Sequence, residues 1–332
     1  MPMPSSSVKF GPDQPSRTSL VVAAIRAFGA REPDASVRNP DSLAERLITR
    51  EELDLISEHP ISTALVGDYR AGRKNQEVAG MSNLILIRTR FIDEHMQRVL
   101  ENGATQLVIL GAGFDTRAYR FEKLLAGKRV IEVDYRSTQH LKKRRLQSAL
   151  GSLPAYVNFA EIDFQRDKLL DVLEKAGYQS REKTFFIWEG VSYYLPEAAV
   201  RETLRSIAGN TPSGSSLVMD FAEEALIRML QQFPHLPQHN YTTNWGEPWI
   251  FGLPDNKESE FFKECGLNLG EVISYFGRDA ARRYLTRADG TSFGTPRGGG
   301  PRRQALTTTI RMIWMFLSVR SKWLALAALD IP

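Results

Sequence analysis

A chain of 332 residues, 42% hydrophobic and 25% charged, has the composition of an ordinary globular protein. It is long enough for one large α/β domain or two smaller ones. A net charge of +4 does not by itself point to nucleic acid, and a single cysteine, Cys265, excludes an internal disulfide framework and suits a reducing, cytoplasmic setting.

Residues 1–16 are polar and proline-bearing, lack the apolar core of a signal peptide, and read as a disordered leader. Thr18–Arg31 carries Leu20, Ala23, Ala24, Ala27 and Phe28 at helical spacing. Pro40 and Asp41 open a second helix at Ser42–Ile48, and Glu51–Glu58 is a candidate third. Asn83–Leu100 is a longer amphipathic stretch. Residues 17–100 are therefore expected to form a helical cover. Arg26, Arg88 and Arg90 fall in these helices, where a solvated surface position is the usual fate of an arginine.

Gln106–Phe121, QLVILGAGFDTRAYRF, is the stretch around which the rest is organised. Leu107–Leu110 reads as a parallel strand buried on both faces. Gly111, Ala112 and Gly113 make a small-residue turn, Asp115 and Thr116 are natural N-cap residues, and Arg117–Leu125 is the expected helix. Such a turn lets a ligand approach the backbone closely, and the helix start favours negative groups. The dinucleotide pattern G-x-G-x-x-G is incomplete, because Thr116 holds its sixth position. An ordinary βα turn explains the glycines as well.

Arg129–Val133 is the second strand, with Glu132 and Asp134 at its tip. Asp134 lies beyond the last apolar residue, 23 positions after Gly111, close to the roughly 20 at which an acid holds a ribose. A helix cap is the alternative, since Ser137–Leu150 is helical. Tyr156–Asp163 is the third strand; Asp163 and Phe164 at its end could bond and stack on an adenine, or Asp163 could cap a turn. Lys168–Ala176 is a helix. Thr184–Glu189 is the fourth strand, and Glu189 needs solvent, a ligand or a cation beside it. Pro196 marks a helix start, and Ser215–Phe221 is the fifth strand. This alternation predicts a parallel, doubly wound sheet of class α/β.

Residues 223–255 break the alternation with Pro234, His235, Pro237, His239, Tyr241, Trp245 and Trp249, a composition suited to a substrate wall or to a packed surface excursion. The two histidines lack further ligands, so no metal is expected. In the final part, 256–332, Asn256–Cys265 reads as a helix and Leu267–Phe276 as a strand. Arg278–Pro301 reads as an exposed loop, Thr307–Val319 as the last strand and Trp323–Leu329 as a terminal helix. No apolar run reaches the ~18 residues of a membrane span.

Four of these blocks resemble the leucine carboxyl methyltransferase-like superfamily of S-adenosylmethionine-dependent methyltransferases, in the bacterial and fungal branch that includes polyketide O-methyltransferases. TSLVVAAIRA is similar to its leading helix, VILGAGFDTRAYR to its glycine signature, VIEVDY to its second-strand block and IWEGVSYYLPEAAV to its fourth-strand block; RRYLTRADG is a weaker match. The resemblance implies a seven-stranded methyltransferase (Rossmann-like) sheet under an N-terminal helical cover, a single domain over 17–332. It implies S-adenosyl-L-methionine as cofactor. Gly111 and Gly113 would line its methionine part, Asp134 would hold its ribose, Asp163 and Phe164 its adenine, Glu189 its amino group, and Arg26 and Arg88 its carboxylate, with Arg90 in reach of the same alignment as Arg88. The acceptor would be a carboxylate or hydroxyl of a small molecule, as in secondary metabolism, with no nucleic-acid or membrane partner. Tyr193 and Tyr194 could face the sulfonium; His235 and His239 are the candidates for a general base. Protein C-terminal carboxyl methylation, a nicotinamide-dependent oxidoreductase and a non-catalytic binding protein are the alternatives.

Overall fold

The computed structural model of the chain describes residues 15–49, 76–232, 246–293 and 322–332. Seven strands form one sheet: β1 (Gln106–Leu110), β2 (Arg129–Asp134), β3 (Val157–Glu161), β4 (Thr184–Trp188), β5 (Ser216–Ala222), β6 (Asn268–Ser274) and β7 (Leu324–Asp330). Their spatial order is β3-β2-β1-β4-β5-β7-β6. The first five are parallel, and β7 runs antiparallel to both β5 and β6.

Alternation along each strand divides the core into two layers. Leu107 and Ile109 of β1 face one layer with Phe185 and Ile187 of β4; Val108 and Leu110 face the other with Phe186 and Trp188. Both layers are apolar because helices cover both faces, which is why these strands read as unbroken hydrophobic runs. The first layer is sealed by α1 (Arg17–Gly29) and α2 (Gln76–Glu101), through Val21, Ile25, Phe91 and Ile92. Helices α5 (Arg136–Leu150), α6 (Leu169–Lys175) and α7 (Glu197–Gly209) follow β2, β3 and β4.

The structure departs from the sequence reading at four places. Arg117–Leu125 is two short helices, α3 (Arg117–Arg120) and α4 (Glu122–Leu125), broken at Phe121. Ser42–Ile48 is a 3-10 turn over Ala44–Leu47. The start of the presumed Arg278–Pro301 loop is a helix, Arg278–Tyr284, whose Ala280 and Tyr284 are buried. Trp323–Leu329 is the last strand, not a terminal helix: Ala325, Ala327 and Leu329 face one layer and Leu326 and Ala328 the other. The Thr307–Val319 strand, the Glu51–Glu58 helix and most of the 1–16 leader lie outside the described residues.

Of the two acids in β2, Glu132 is a core residue. It pairs with Lys142 of α5 at 2.7 Å, both side chains being 1% exposed. Removing one partner leaves a buried charge uncompensated, at ~3–5 kcal/mol. Lys142→Met should lower unfolding stability by about that amount in denaturant titration, and the double change Glu132→Leu/Lys142→Met should recover at least half of the loss.

Candidate functional site

The sheet order reverses between β1 and β4, which places a crevice at their carboxyl ends, where open α/β sheets bind ligands. A cleft of about 1050 Å³, measured out to solvent, opens there. Gly111 and Gly113 line it with φ of +64° and +43°. A Cβ on Gly111 would lie 2.3 Å from Val191 Cγ2, so the turn between β1 and the loop after β4 has room for glycine alone. Asp134 lines the same cleft; it accepts hydrogen bonds from Gly113 N and, at 2.6 Å, from Tyr135 N. The β2 tip thus holds the β1 turn by its backbone. Burial pushes the Asp134 carboxyl up to about 6, against the two backbone donors that pull it down.

Glu189, just past β4, ends in a continuous chain of ion pairs. Arg26 of α1 meets Asp41 at 2.7 Å; Asp41 meets Arg120 at 3.5 Å; Arg120 meets Asp93 of α2 at 3.1 Å; Asp93 meets Arg117 at 2.7 Å. Arg117 holds Asp115 and, at 2.7 Å, Glu189. Glu189 meets Arg88 of α2 at 2.8 Å, and Arg88 meets Asp220 of β5 at 3.1 Å. Gly190 N also donates to Asp220 at 2.7 Å. Arg88 and Arg117 hold Glu189 below the usual carboxylate range despite its burial, and Arg117 does the same for Asp115, pulled down to about 2. The arginines are not solvated surface charges: Arg26 is 6% and Arg88 7% exposed. Five carboxylates face four arginines in this chain.

Among the residues singled out from sequence, Arg26, Arg88, Gly111, Gly113, Asp134, Phe164, Glu189, Tyr193 and Tyr194 share the cleft. Arg90 does not; it donates to the carbonyls of Ala35, Ser36 and Arg38. Asp163 is also outside the wall. It accepts from Gln165 N at 3.0 Å and lies 3.5 Å from Arg166. Tyr193 packs 4.2 Å from Trp249, and burial raises the hydroxyls of Tyr193 and Tyr194 well above the ordinary tyrosine value, so both stay protonated. His235, His239, Tyr241 and Trp245 lie outside the described residues. Among the described residues no group of three or more His, Cys, Asp or Glu could hold a metal ion.

Sequence reasoning missed Asp93, Arg117, Arg120, Asp220 and Glu247. Asp220 had a signal: an acid inside the apolar run LVMDFA is 0% exposed and must find a cation. Arg117 stood inside the glycine block without an assigned role.

A seven-stranded α/β sheet of this order, with a cleft at its switch point and acids at the strand tips, belongs to the open α/β class that binds nucleotide-like ligands at that edge. A Thermobifida fusca YX protein named as a methyltransferase shares the fold, with a TM-score of 0.50 at 14% identity over 96% of this chain and 95% of that one. Residues 19–208 match the leucine carboxyl methyltransferase family, and the chain belongs to it. It is an S-adenosylmethionine-dependent methyltransferase. YktD of Bacillus subtilis (strain 168), named as such an enzyme, is 33% identical over 224 residues, which cover 64% of this chain and 73% of YktD. A Mycobacterium sp. (strain KMS) protein of the same name is 32% identical over 207 residues, covering 61% of this chain and 65% of the relative, just under two thirds of its length.

The raised Asp134 carboxyl has a sign that can be checked. Its folded pKa of about 6 exceeds the model-peptide value of 3.8, so the folded state holds more protons between them. Stability should fall as pH rises through that window, by at most ~3 kcal/mol and less because solvent reaches this half-buried group. Thermal melts of wild type and Asp134→Asn from pH 4 to 7 should differ in slope, the variant being flatter.

Proposed function

We propose that the chain transfers a methyl group from S-adenosylmethionine to an oxygen of a small molecule, in the cytoplasm and in secondary metabolism. The observation that carries this is one cleft shared by a bare glycine turn, an acid at the β2 tip and Glu189, a carboxylate within the buried ionic chain. These residues fit the cofactor. The Gly111–Gly113 backbone admits close approach, and any side chain on Gly111 would drive into Val191 on the cleft wall. Asp134 lines the cleft with no cation within salt-bridge distance among the described residues, and would accept from a ribose diol. Phe164, beside Trp188 at 6.1 Å, offers an aromatic surface for the adenine, with Tyr135 on the same wall. Asp163, engaged with Arg166 and the Gln165 amide, is the weaker partner for that ring.

Glu189 would accept from the amino group of the methionyl part. Arg88 already serves two carboxylates, so Arg26 is the better placed to hold the cofactor carboxylate. The surplus of one carboxylate in the ionic chain favours a cation nearby. When bound, S-adenosylmethionine supplies a methyl on a sulfonium, and the protein's part is orientation and charge. Tyr193 and Tyr194 give the aromatic side of the cleft, a face that a sulfonium favours by ~0.5–2 kcal/mol. A small acceptor is favoured over a peptide tail because Glu247, beyond β5, hydrogen bonds to Thr18 of α1 and ties the insert to the cover beside the cleft. Among the described residues no helix is long and apolar enough to cross a membrane.

Calorimetry on the purified chain should show saturable S-adenosylmethionine binding; a flat titration would remove the reading. Gly111→Ala should abolish the heat. Asp134→Ala should weaken binding by roughly tenfold to a hundredfold, the range of one lost hydrogen bond to a charged acceptor. As pH falls below about 6 the affinity of wild type should drop with protonation of Asp134, and that of Asp134→Asn should change less.

A further inference from the structure

Every cation lining the cleft among the described residues is already committed. Arg26 serves Asp41, the Phe114 carbonyl and, on the reading above, the cofactor carboxylate, and Arg88 serves Glu189 and Asp220. Two lining carboxylates have no cation within salt-bridge distance among the described residues: Asp134 and Glu247. They are close enough for the charge of Glu247 to raise the carboxyl of Asp134, and Glu247 likewise raises the hydroxyl of Tyr194. Glu247 is half-buried and fixed: Oε2 accepts from Thr18 N at 3.3 Å and from Thr18 Oγ1. Asp134 belongs to the methyl-donor end through its bond to the glycine turn. Glu247 comes from the insert after β5, on the side of Tyr194, and is the acid left for the acceptor.

We infer that Glu247 selects the methyl acceptor: it takes a hydrogen-bond donor that carries no negative charge, a hydroxyl, and rejects a carboxylate. This deepens the O-methyl-transfer reading above and rests on it. A carboxylate acceptor would meet Glu247 as a like charge in a partly buried wall, where water screens the repulsion less than in bulk. It would find no uncommitted cation in the described wall to offset that. A hydroxyl reverses the balance, because it donates to the carboxylate in a charge-assisted hydrogen bond. Tyr194, its ring centroid 4.9 Å from that of Tyr193, adds an aromatic side to the same end, so an aryl hydroxyl fits best. The two halves of the cleft thus divide the work: sheet tips for the donor, insert for the acceptor.

The test uses the full chain and matched aryl alcohols, aryl carboxylates and aryl amines of one to three rings, with two readouts. One is calorimetric binding of each probe in the presence of S-adenosylhomocysteine; the other is methyl transfer from labelled S-adenosylmethionine. The expected result is binding and methylation of alcohols, with carboxylates at least tenfold weaker. Glu247→Gln should narrow that preference at least fivefold while keeping S-adenosylhomocysteine affinity within about threefold, and Glu247→Lys should turn the preference toward carboxylates. Carboxylates preferred by wild type, no probe accepted at all, or a preference unchanged in Glu247→Gln would overturn the role of Glu247. Amines methylated in place of alcohols would keep Glu247 as the selector and overturn O-methylation. No S-adenosylhomocysteine binding in wild type would overturn the methyl-donor reading itself.

Discussion

The buried ionic chain from Arg26 to Asp220 is the constraint on which the site depends. It joins α1, the loop at Asp41, α2, the turn after β1, the end of β4 and the middle of β5. Apolar packing is non-directional and would let the helical cover slide over the sheet by a fraction of a turn. Charged partners with fixed geometry do not allow that, because any slip leaves a desolvated charge unmatched. Such pairs add little net stability over an apolar core, since each ion loses its hydration. Their return is position: Glu189 and Arg88 are held within contact of the cleft before any ligand arrives, which lowers the ordering cost of binding.

The surplus negative charge gives this chain a second consequence. A buried cluster one carboxylate in excess raises the energy of its least-supported acid. Within the network the arginines hold Glu189 and Asp115 low, whereas at Asp93 and Asp220 burial raises the carboxyls despite their arginines. A ligand bearing an ammonium and a sulfonium relieves the excess. Cation binding and cover alignment are then coupled through shared partners, with Arg88 touching both the cleft and β5.

Much of this was legible in the sequence where one residue's environment follows from its immediate neighbours. The central strands announced themselves because burial on both faces removes polar alternation. Asp134 stood out because it lies one step past an apolar run, and the glycine turn because Gly111 and Gly113 flank Ala112 directly after another. What failed depended on distant partners. Arg88 and Arg90 are two positions apart on one helix, about 200° around its axis, so a one-dimensional alignment treats them alike while the fold sends one to Glu189 and the other to the 35–38 backbone. Arg117 could be read as a helix-start residue; its three carboxylate partners come from Asp93, Asp115 and Glu189, spread over almost a hundred positions. The last strand was misplaced because two apolar runs competed, and the alternation of Ala325 to Leu329 between layers is invisible when both layers are apolar.

The same division explains how far family membership reaches. The match covers 19–208, which contains the glycine turn, the strand tips and most of the ionic chain, but stops before Glu247 and Trp249. Donor-side residues sit on strand ends, where backbone pairing fixes position to within a fraction of an ångström. Acceptor-side residues sit on an insert, where length and composition can change without disturbing the sheet. A fold of this kind therefore carries its methyl donor with it and leaves the acceptor to local chemistry. On the inference drawn from Glu247, that chemistry is a carboxylate clasped to the first turn of the cover, in a wall whose described cations are all spoken for.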